Sequence, residues 1–315
     1  MKSVLTFSAL NCFRNCPRKY KLRYIDLLRR PEQPEATAFG TVIHEALLLW
    51  YTLPARQGDA VASPADSHRL LAVLDFTDQQ FPARAADARQ KALWHLARAM
   101  MVGYAARYAT EEFEVLHVEK EFEGQIRNPD SGRVSQTFTI AGKVDGIVRV
   151  GDELYLLEHK TASALTADYL DRLWTDTQIA LYCFYLRQHG FPIVGVIYNV
   201  LLKARLQQRA GETDEEFEAR RTALAAKNKS GKSTAKRQEP ESDGEFQARL
   251  ADWYAKPDAF HRERIYLSED RLAMLQEEVW EITQQYLDAS RQAARAFTDA
   301  FLRMFVRLRA EGRRP

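Results

Sequence analysis

The spacing of apolar residues along the chain changes period three times. Through the first 110 residues it is helical. Ser8 is placed to cap a short helix through "ALNCFRNC" that Pro17 ends, "GTVIHEALLLWYTL" opens a strongly apolar helix after Gly40, and helices are predicted over about 66–81 and 87–109. From 111 to 204 the period falls to two: "FEVLHVEKEFEGQI", "SQTFTIAGKVDGIVRV" and "ELYLLEHKT" read as three strands separated by "NPDSG" and "GD" turns. A helix over about 175–189 and a strand over "PIVGVIYNVLL" complete a β-β-β-α-β run. Residues 205–258, with "AAKNKSGKSTAKRQEPESDG", carry so few apolar side chains that they read as a charged, mobile insertion, in which "EEFEAR" and "GEFQAR" form two similar amphipathic turns. Order returns with "FHRERIYL", a candidate edge strand, and a long helix capped by Ser268 and reaching past 300. The 315 residues thus read as one elaborated domain, with a helical N-terminal region over 1–110, a core over 111–204, the insertion over 205–258, and an edge strand with C-terminal helix over 259–315.

Composition narrows the possibilities. A formal net charge of +2 excludes nucleic-acid binding by bulk positive charge, so any such binding needs a local patch. No apolar run approaches the ~18 residues of a membrane span. "MKSVLTFSALNC" resembles a lipoprotein signal only superficially, since Asn11 stands where a small residue is expected; the chain is expected to be soluble and cytoplasmic, without a membrane partner. Three cysteines make no disulfide framework: Cys183 reads as a buried thiol, and Cys12 with Cys16 offer two ligands where zinc or iron-sulfur sites need four. "SGKST" resembles the end of a phosphate-binding loop, but Ala226 stands at the first glycine position and no strand precedes it.

The chemistry concentrates where an apolar strand, Leu154 to Leu157, runs into Glu158, His159 and Lys160. A two-residue turn at Gly151 and Asp152 fixes the hairpin register: Val150 faces Glu153, Arg149 faces Leu154, Ile147 faces Leu156, and Asp145 faces Glu158. Like charges directly opposite are destabilising, so the carboxylate pair calls for a third charge, which a divalent cation supplies. Lys160 shares their face by the period of two, and Lys143 would face Lys160 in the same register. Two oxygen ligands and one ammonium suit Mg²⁺ or Mn²⁺ and phosphodiester hydrolysis. The bland alternative, a turn acid beside a surface ion pair, explains the like charges poorly. Between Arg14 and Arg30 seven Lys or Arg, including Arg18, Lys19, Arg29 and Arg30, accompany Tyr20 and Tyr24 against the single acid Asp26, which reads either as a solvated surface or as a phosphate-tracking edge.

Asp, a variable spacer, then Glu-x-Lys on the next strand resembles the PD-(D/E)XK nuclease superfamily in its RecB-like and AddB-like branch. That core motif, "GKVDGI" with "EHKT", stands in the order of that branch with three further stretches, "SALNCFRNCPRKYKLRY" and "GTVIHEAL" before it and "TQIALYCFYL" after it. The resemblance implies an α/β, restriction-endonuclease-like core, a central mixed β-sheet flanked by α-helices, and metal-dependent DNA cleavage. It carries the metal-binding carboxylates onto Asp145 and Glu158, the catalytic lysine onto Lys160, and an additional metal ligand onto His44. It also places Gln178 and Tyr182 beside the substrate backbone or the lysine, and Ser8, Arg18 and Lys19 in the N-terminal motif. Alternation turns the His159 ring away from the site, while its backbone carbonyl remains a candidate metal ligand. The three C-terminal cysteines that complete an iron-sulfur cluster in many members are missing, so no cluster is expected.

The expectation is therefore a Mg²⁺- or Mn²⁺-dependent deoxyribonuclease acting as an exonuclease in recombination, repair or viral DNA processing. With no helicase motif in the chain, unwinding would come from a helicase or recombination partner. A non-cleaving DNA-binding or scaffolding subunit and an endonuclease stay open as alternatives.

Overall fold

The computed structural model describes residues 2–28, 33–53, 68–228 and 232–310, with side chains to residue 292. Arg29 and Arg30, the expected helix start at 66, and Ser230 with Gly231 of "SGKST" lie outside the described residues.

A six-stranded mixed sheet is built from β1 (Ser3–Thr6), β2 (Glu114–Arg127), β3 (Val134–Val150), β4 (Glu153–Ala162), β5 (Ile193–Leu202) and β6 (Phe260–Tyr266). β3 pairs antiparallel with β2 and β4 and parallel with β1; β5 lies parallel to β4 and antiparallel to β6, which forms an edge as its sequence predicts. Strands β4 and β5 are central and read as near-continuous apolar runs because helices cover both faces.

One face is covered by α1 (Phe7–Asn15), α7 (Thr177–Gln188) and α10 (Glu269–Ala310), which share a core with Ile140, Leu156 and Val200. The other carries α3 (Glu35–Thr52), α4 (His68–Gln80), α5 (Ala88–Arg107) and α9 (Asp243–Tyr254), packed around Leu47, Met100 and Leu201. The short α2 (Pro17–Tyr20) and α6 (Ala167–Trp174) connect the layers, and α8 (Asp214–Lys227) opens the insertion. This is the mixed-sheet α/β architecture of a restriction-endonuclease-like fold. No described helix is long and apolar enough to cross a membrane.

Several expectations need correction. Thr6, not Ser8, caps α1, its hydroxyl accepting from the Ala9 N–H at 3.2 Å; the helix starts two residues earlier than expected, directly where β1 ends. Helix α3 begins at Glu35 rather than after Gly40, and β1 and α6 carry no clear signal in the apolar spacing. The insertion is not without a core: α9 buries Phe246, Leu250 and Tyr254 against α5, three apolar positions too widely spaced to raise the local composition. Its relative α8 buries nothing, although both helices begin with a full capping box, Thr213 with Glu216 and Ser242 with Glu245.

Candidate active site

The β3–β4 hairpin turns at Gly151, whose φ of +59° suits a primed turn, and the register runs from Val150 opposite Glu153 to Gly146 opposite Leu157 as the turn length dictates. There the ladder stops. Asp145 and Glu158 do not form the next pair, and Lys143 does not face Lys160; Lys143 lies opposite Glu121 of β2 and pairs with Glu119 at 2.7 Å. The reason lies in who borders β3. Strand β2 runs along one edge, while β1 pairs with the other up to Ala141 and β4 pairs with it from Gly146. Residues 142–145 are left in the fork between β1 and β4. In place of a strand carbonyl, the Asp145 Oδ2 accepts the His159 N–H at 2.8 Å.

The fork gathers the ionisable groups. Glu158 is buried at 6% exposure and accepts from the Lys160 Nζ at 2.5 Å. The Nδ1 of His44, on α3, lies 3.4 Å from the Asp145 Oδ2. Burial opposes charge on Asp145, but the His44 ring, the field of His159 and the His159 N–H outweigh it and hold the carboxyl down at about 2. Glu158 goes the other way: burial, reinforced by Asp145, prevails over the attraction of Lys160 and pushes its carboxyl up to about 7. Burial lowers Lys160 and His44, yet Glu158 raises the lysine and Asp145 raises the imidazole, so both end above their ordinary values.

The His159 ring points away from Glu158 and Lys160, as alternation requires. It stacks on Tyr51 with centroids 5.6 Å apart and 9° between planes, and burial brings its pKa down to about 4. On α7, the Gln178 amide donates to the Tyr182 hydroxyl at 2.9 Å, so these two share a face and bond each other. Gly142 makes room for that face: a Cβ there would stand 2.7 Å from the Tyr182 ring and 2.6 Å from Phe122. Asp176, which caps α7 through the Gln178 N–H, adds a third carboxylate whose charge raises Lys160; a helix-start signal was its only trace in the sequence.

Ser8, Arg18 and Lys19 are exposed on α1 and α2 and form no hydrogen bond or ion pair with Asp145, Glu158 or Lys160 through their side chains. Cys16 has a structural task, its sulfur capping α2 by accepting from the Lys19 N–H at 3.4 Å.

Behind His159 lies a polar network that sequence reasoning missed, because its members are scattered over 211 positions from Tyr51 to Arg262. The Asn199 amide lies 3.0 Å from the His159 Nδ1 and donates to the Tyr104 hydroxyl at 2.8 Å. Arg262 donates to Glu111 at 2.6 and 2.9 Å and to the hydroxyls of Tyr51 and Tyr104 at 3.2 Å, while its guanidinium lies 3.6 Å from the Tyr108 ring centroid. The donors of Asn199 and Arg262 find acceptors in the network, the condition for burying such groups at low cost.

Among the described residues no three His, Cys, Asp or Glu side chains are arranged as a ready metal site, since Glu158 is turned onto Lys160. The chemistry of the donors nevertheless suits a hard divalent cation. Asp145 and Glu158 are carboxylates, and the His44 imidazole lies beside Asp145.

Among solved structures, one titled "Crystal structure of SSO0001" is similar at 14% identity over 80% of this chain and 88% of its own, with a TM-score of 0.28, too low to bear on the argument. No curated protein matches the chain. The sequence does match the PD-(D/E)XK nuclease superfamily over residues 4–311, nearly its whole length, and the chain belongs to that superfamily.

Proposed function

We propose that the protein is a Mg²⁺- or Mn²⁺-dependent deoxyribonuclease of the RecB-like and AddB-like branch, acting as an exonuclease on DNA ends in recombination, repair or viral DNA processing. The observation that carries this reading is geometric: the buried Glu158 carboxyl is held by the Lys160 ammonium at 2.5 Å, while Asp145 accepts the His159 N–H at 2.8 Å and lies 3.4 Å from the His44 imidazole. A structural ion pair between Glu158 and Lys160 has no use for a second carboxylate whose charge opposes the first.

In this reading Asp145, Glu158 and His44 hold the cation, with the His159 carbonyl as a further ligand. A cation there would supply Lewis acidity, lowering the pKa of water and neutralising charge on the scissile phosphate. Lys160 keeps its proton under the influence of Glu158 and provides a fixed positive charge for the developing phosphorane oxygens. Gln178 and Tyr182, bonded to each other and packed over Gly142, hold the wall of the fork and orient the substrate backbone. Arg18 and Lys19, exposed and outside any ion pair among the described residues, supply phosphate contacts farther out. A helicase or recombination protein is the partner this reading calls for.

The test is cleavage of end-labelled linear and closed circular DNA with Mg²⁺, Mn²⁺ or chelator, comparing wild type with Asp145→Ala and Lys160→Ala. Metal-dependent loss of linear DNA alone, abolished by Asp145→Ala and slowed roughly 10²–10³-fold by Lys160→Ala, is the expected result. Cutting of closed circles would replace the exonuclease by an endonuclease. Inertness of folded wild type with every metal would leave a partner-dependent or scaffolding subunit.

A further inference from the structure

The chain leaving β5 and the α9 end of the insertion enclose, with the first turns of α3 and α5, an open cleft of about 860 Å³. Asp145, Glu158 and Lys160 do not line it, but it starts close by. Ser163, three residues beyond Lys160, is on its wall, and the Lys203 N–H donates to the Ala162 carbonyl at 2.7 Å, tying the exits of the parallel strands β4 and β5 together. On α3, Ala36 lines the cleft and falls on the same face as Gly40 and His44 by the spacing of four. The cleft therefore lies at the ends of β4 and β5, about two turns of α3 from His44.

Its charge is uneven. Glu35 is taken up by Arg89 at 2.5 Å, and Glu241 by Arg249 at 2.5 Å. Lys203, Arg205 and Arg209 line the same cleft and, among the described residues, belong to no ion pair. They sit on an extended segment between β5 and α8, where the even positions Ala204 and Leu206 pack into the α3–α5–α9 core and the odd ones read Lys, Arg, Gln, Arg. Steps of about 6.6 Å along that side set long cationic side chains in a row. The aromatic side chains of the cleft, Phe39 and Phe246, are buried at 3% and 1% exposure and offer no face on which a base could stack. A row of free cations without stacking platforms recognises phosphates, not bases.

We propose that Lys203, Arg205 and Arg209 form a track that grips the sugar-phosphate backbone of DNA on one side of the scissile phosphate, with the α9 end of the insertion, at Pro240 and Glu241, as the outer wall of that track. The inference rests on the deoxyribonuclease reading and gives the insertion a task. Recognition along it is independent of sequence.

The test is fluorescence anisotropy of labelled single-stranded and duplex DNA in chelator, over a series of salt concentrations, for wild type and for the triple variant Lys203→Ala, Arg205→Ala, Arg209→Ala, with cleavage in Mn²⁺ measured in parallel. All three side chains lie outside ion pairs among the described residues, so the variant is expected to fold, and Lys203→Arg, Arg205→Lys, Arg209→Lys should restore binding. The slope of log K against log salt should become shallower by about 2 for a single strand, or nearer 3 for duplex, as three counterion-releasing contacts are lost. The KM for DNA should rise in step. An unchanged slope in a variant whose wild type cleaves DNA overturns the track and leaves the nuclease reading intact. A shallower slope in a protein that never cleaves supports the track and leaves a partner-dependent or scaffolding subunit.

Discussion

At the scale of single residues, Glu158 decides the most. Its carboxyl is raised from an ordinary 4.5 to about 7, so between those values the folded chain holds a proton that the unfolded chain has released. The stability this gives is complete below about 4.5 and is lost as pH rises through about 7. A divalent cation competes with that proton. The rise in Tm on adding Mn²⁺ should therefore be greater at pH 8 than at pH 6 and absent in Asp145→Ala; thermal scans showing equal gains at both pH values would exclude Glu158 as a ligand. Removing the ammonium has a different signature. Lys160→Ala should lower kcat by roughly 10²–10³-fold, the range for loss of one preorganised stabilising group, while circular dichroism stays unchanged. That the His159 ring turns away from Glu158 and Lys160 is legible in the sequence, because alternation along a strand is local; that the ring would stand edge-on to His44, 6.0 Å away, and that its N–H would hold Asp145 are not, since both depend on where β3 and β4 part and on how α3 packs.

Among elements, the support behind β4 and the anchoring of the insertion can each be measured. Arg262 on β6 and Glu111 ahead of β2 are each about one-sixth exposed, with side-chain values of 16% and 15%. Truncating one partner of such a pair leaves the other charge buried, which costs roughly 3–5 kcal/mol, discounted toward the lower figure by the remaining solvent contact. Urea unfolding of Arg262→Ala should show a loss of about 3 kcal/mol, and Arg262→Ala with Glu111→Ala should be less destabilised than the two singles added; strict additivity would mean the pair is not coupled. The two capped helices of the insertion should differ just as plainly. Phe246→Ala opens a cavity under α9 and should cost about 3–5 kcal/mol. Phe217→Ala on α8, where nothing is buried, should cost under about 1 kcal/mol. Equal losses would return the insertion to the coreless segment its composition suggested. The shared capping pattern made both helices legible in outline, but no local signal separates the packed one from the exposed one.

For the molecule as a whole, the motif-bearing stretch is not self-sufficient. Strand β6 covers the outer edge of β5, α9 fills the α3–α5 core, and α10 places Leu272, Leu275 and Val279 against the opposite one. A fragment ending at residue 204 would keep Asp145, Glu158, Lys160, Gln178 and Tyr182 yet expose the β5 edge and open both cores. It should be insoluble or lack a cooperative unfolding transition, whereas a soluble, cooperative fragment would show that β6, α9 and α10 are additions to an autonomous core.

The sequence by itself determined what depends on near neighbours: the period-two strands, the Gly151 turn and the hairpin register as far as Gly146 and Leu157, the shared face of Gln178 and Tyr182, and the ordered motifs of the superfamily. Those features follow from backbone geometry over a few residues. Tertiary structure alone decided that β1 would take the edge of β3 that β4 abandons, opening the fork where His44 reaches Asp145 while Glu158 is held by Lys160. It also decided that Arg262, Asn199 and Tyr51 would converge behind His159, and that an extended segment after β5 would line a cleft with unpaired cations. Each of these depends on which segments compete for one strand edge or one buried volume, and that competition is settled only when the whole chain packs.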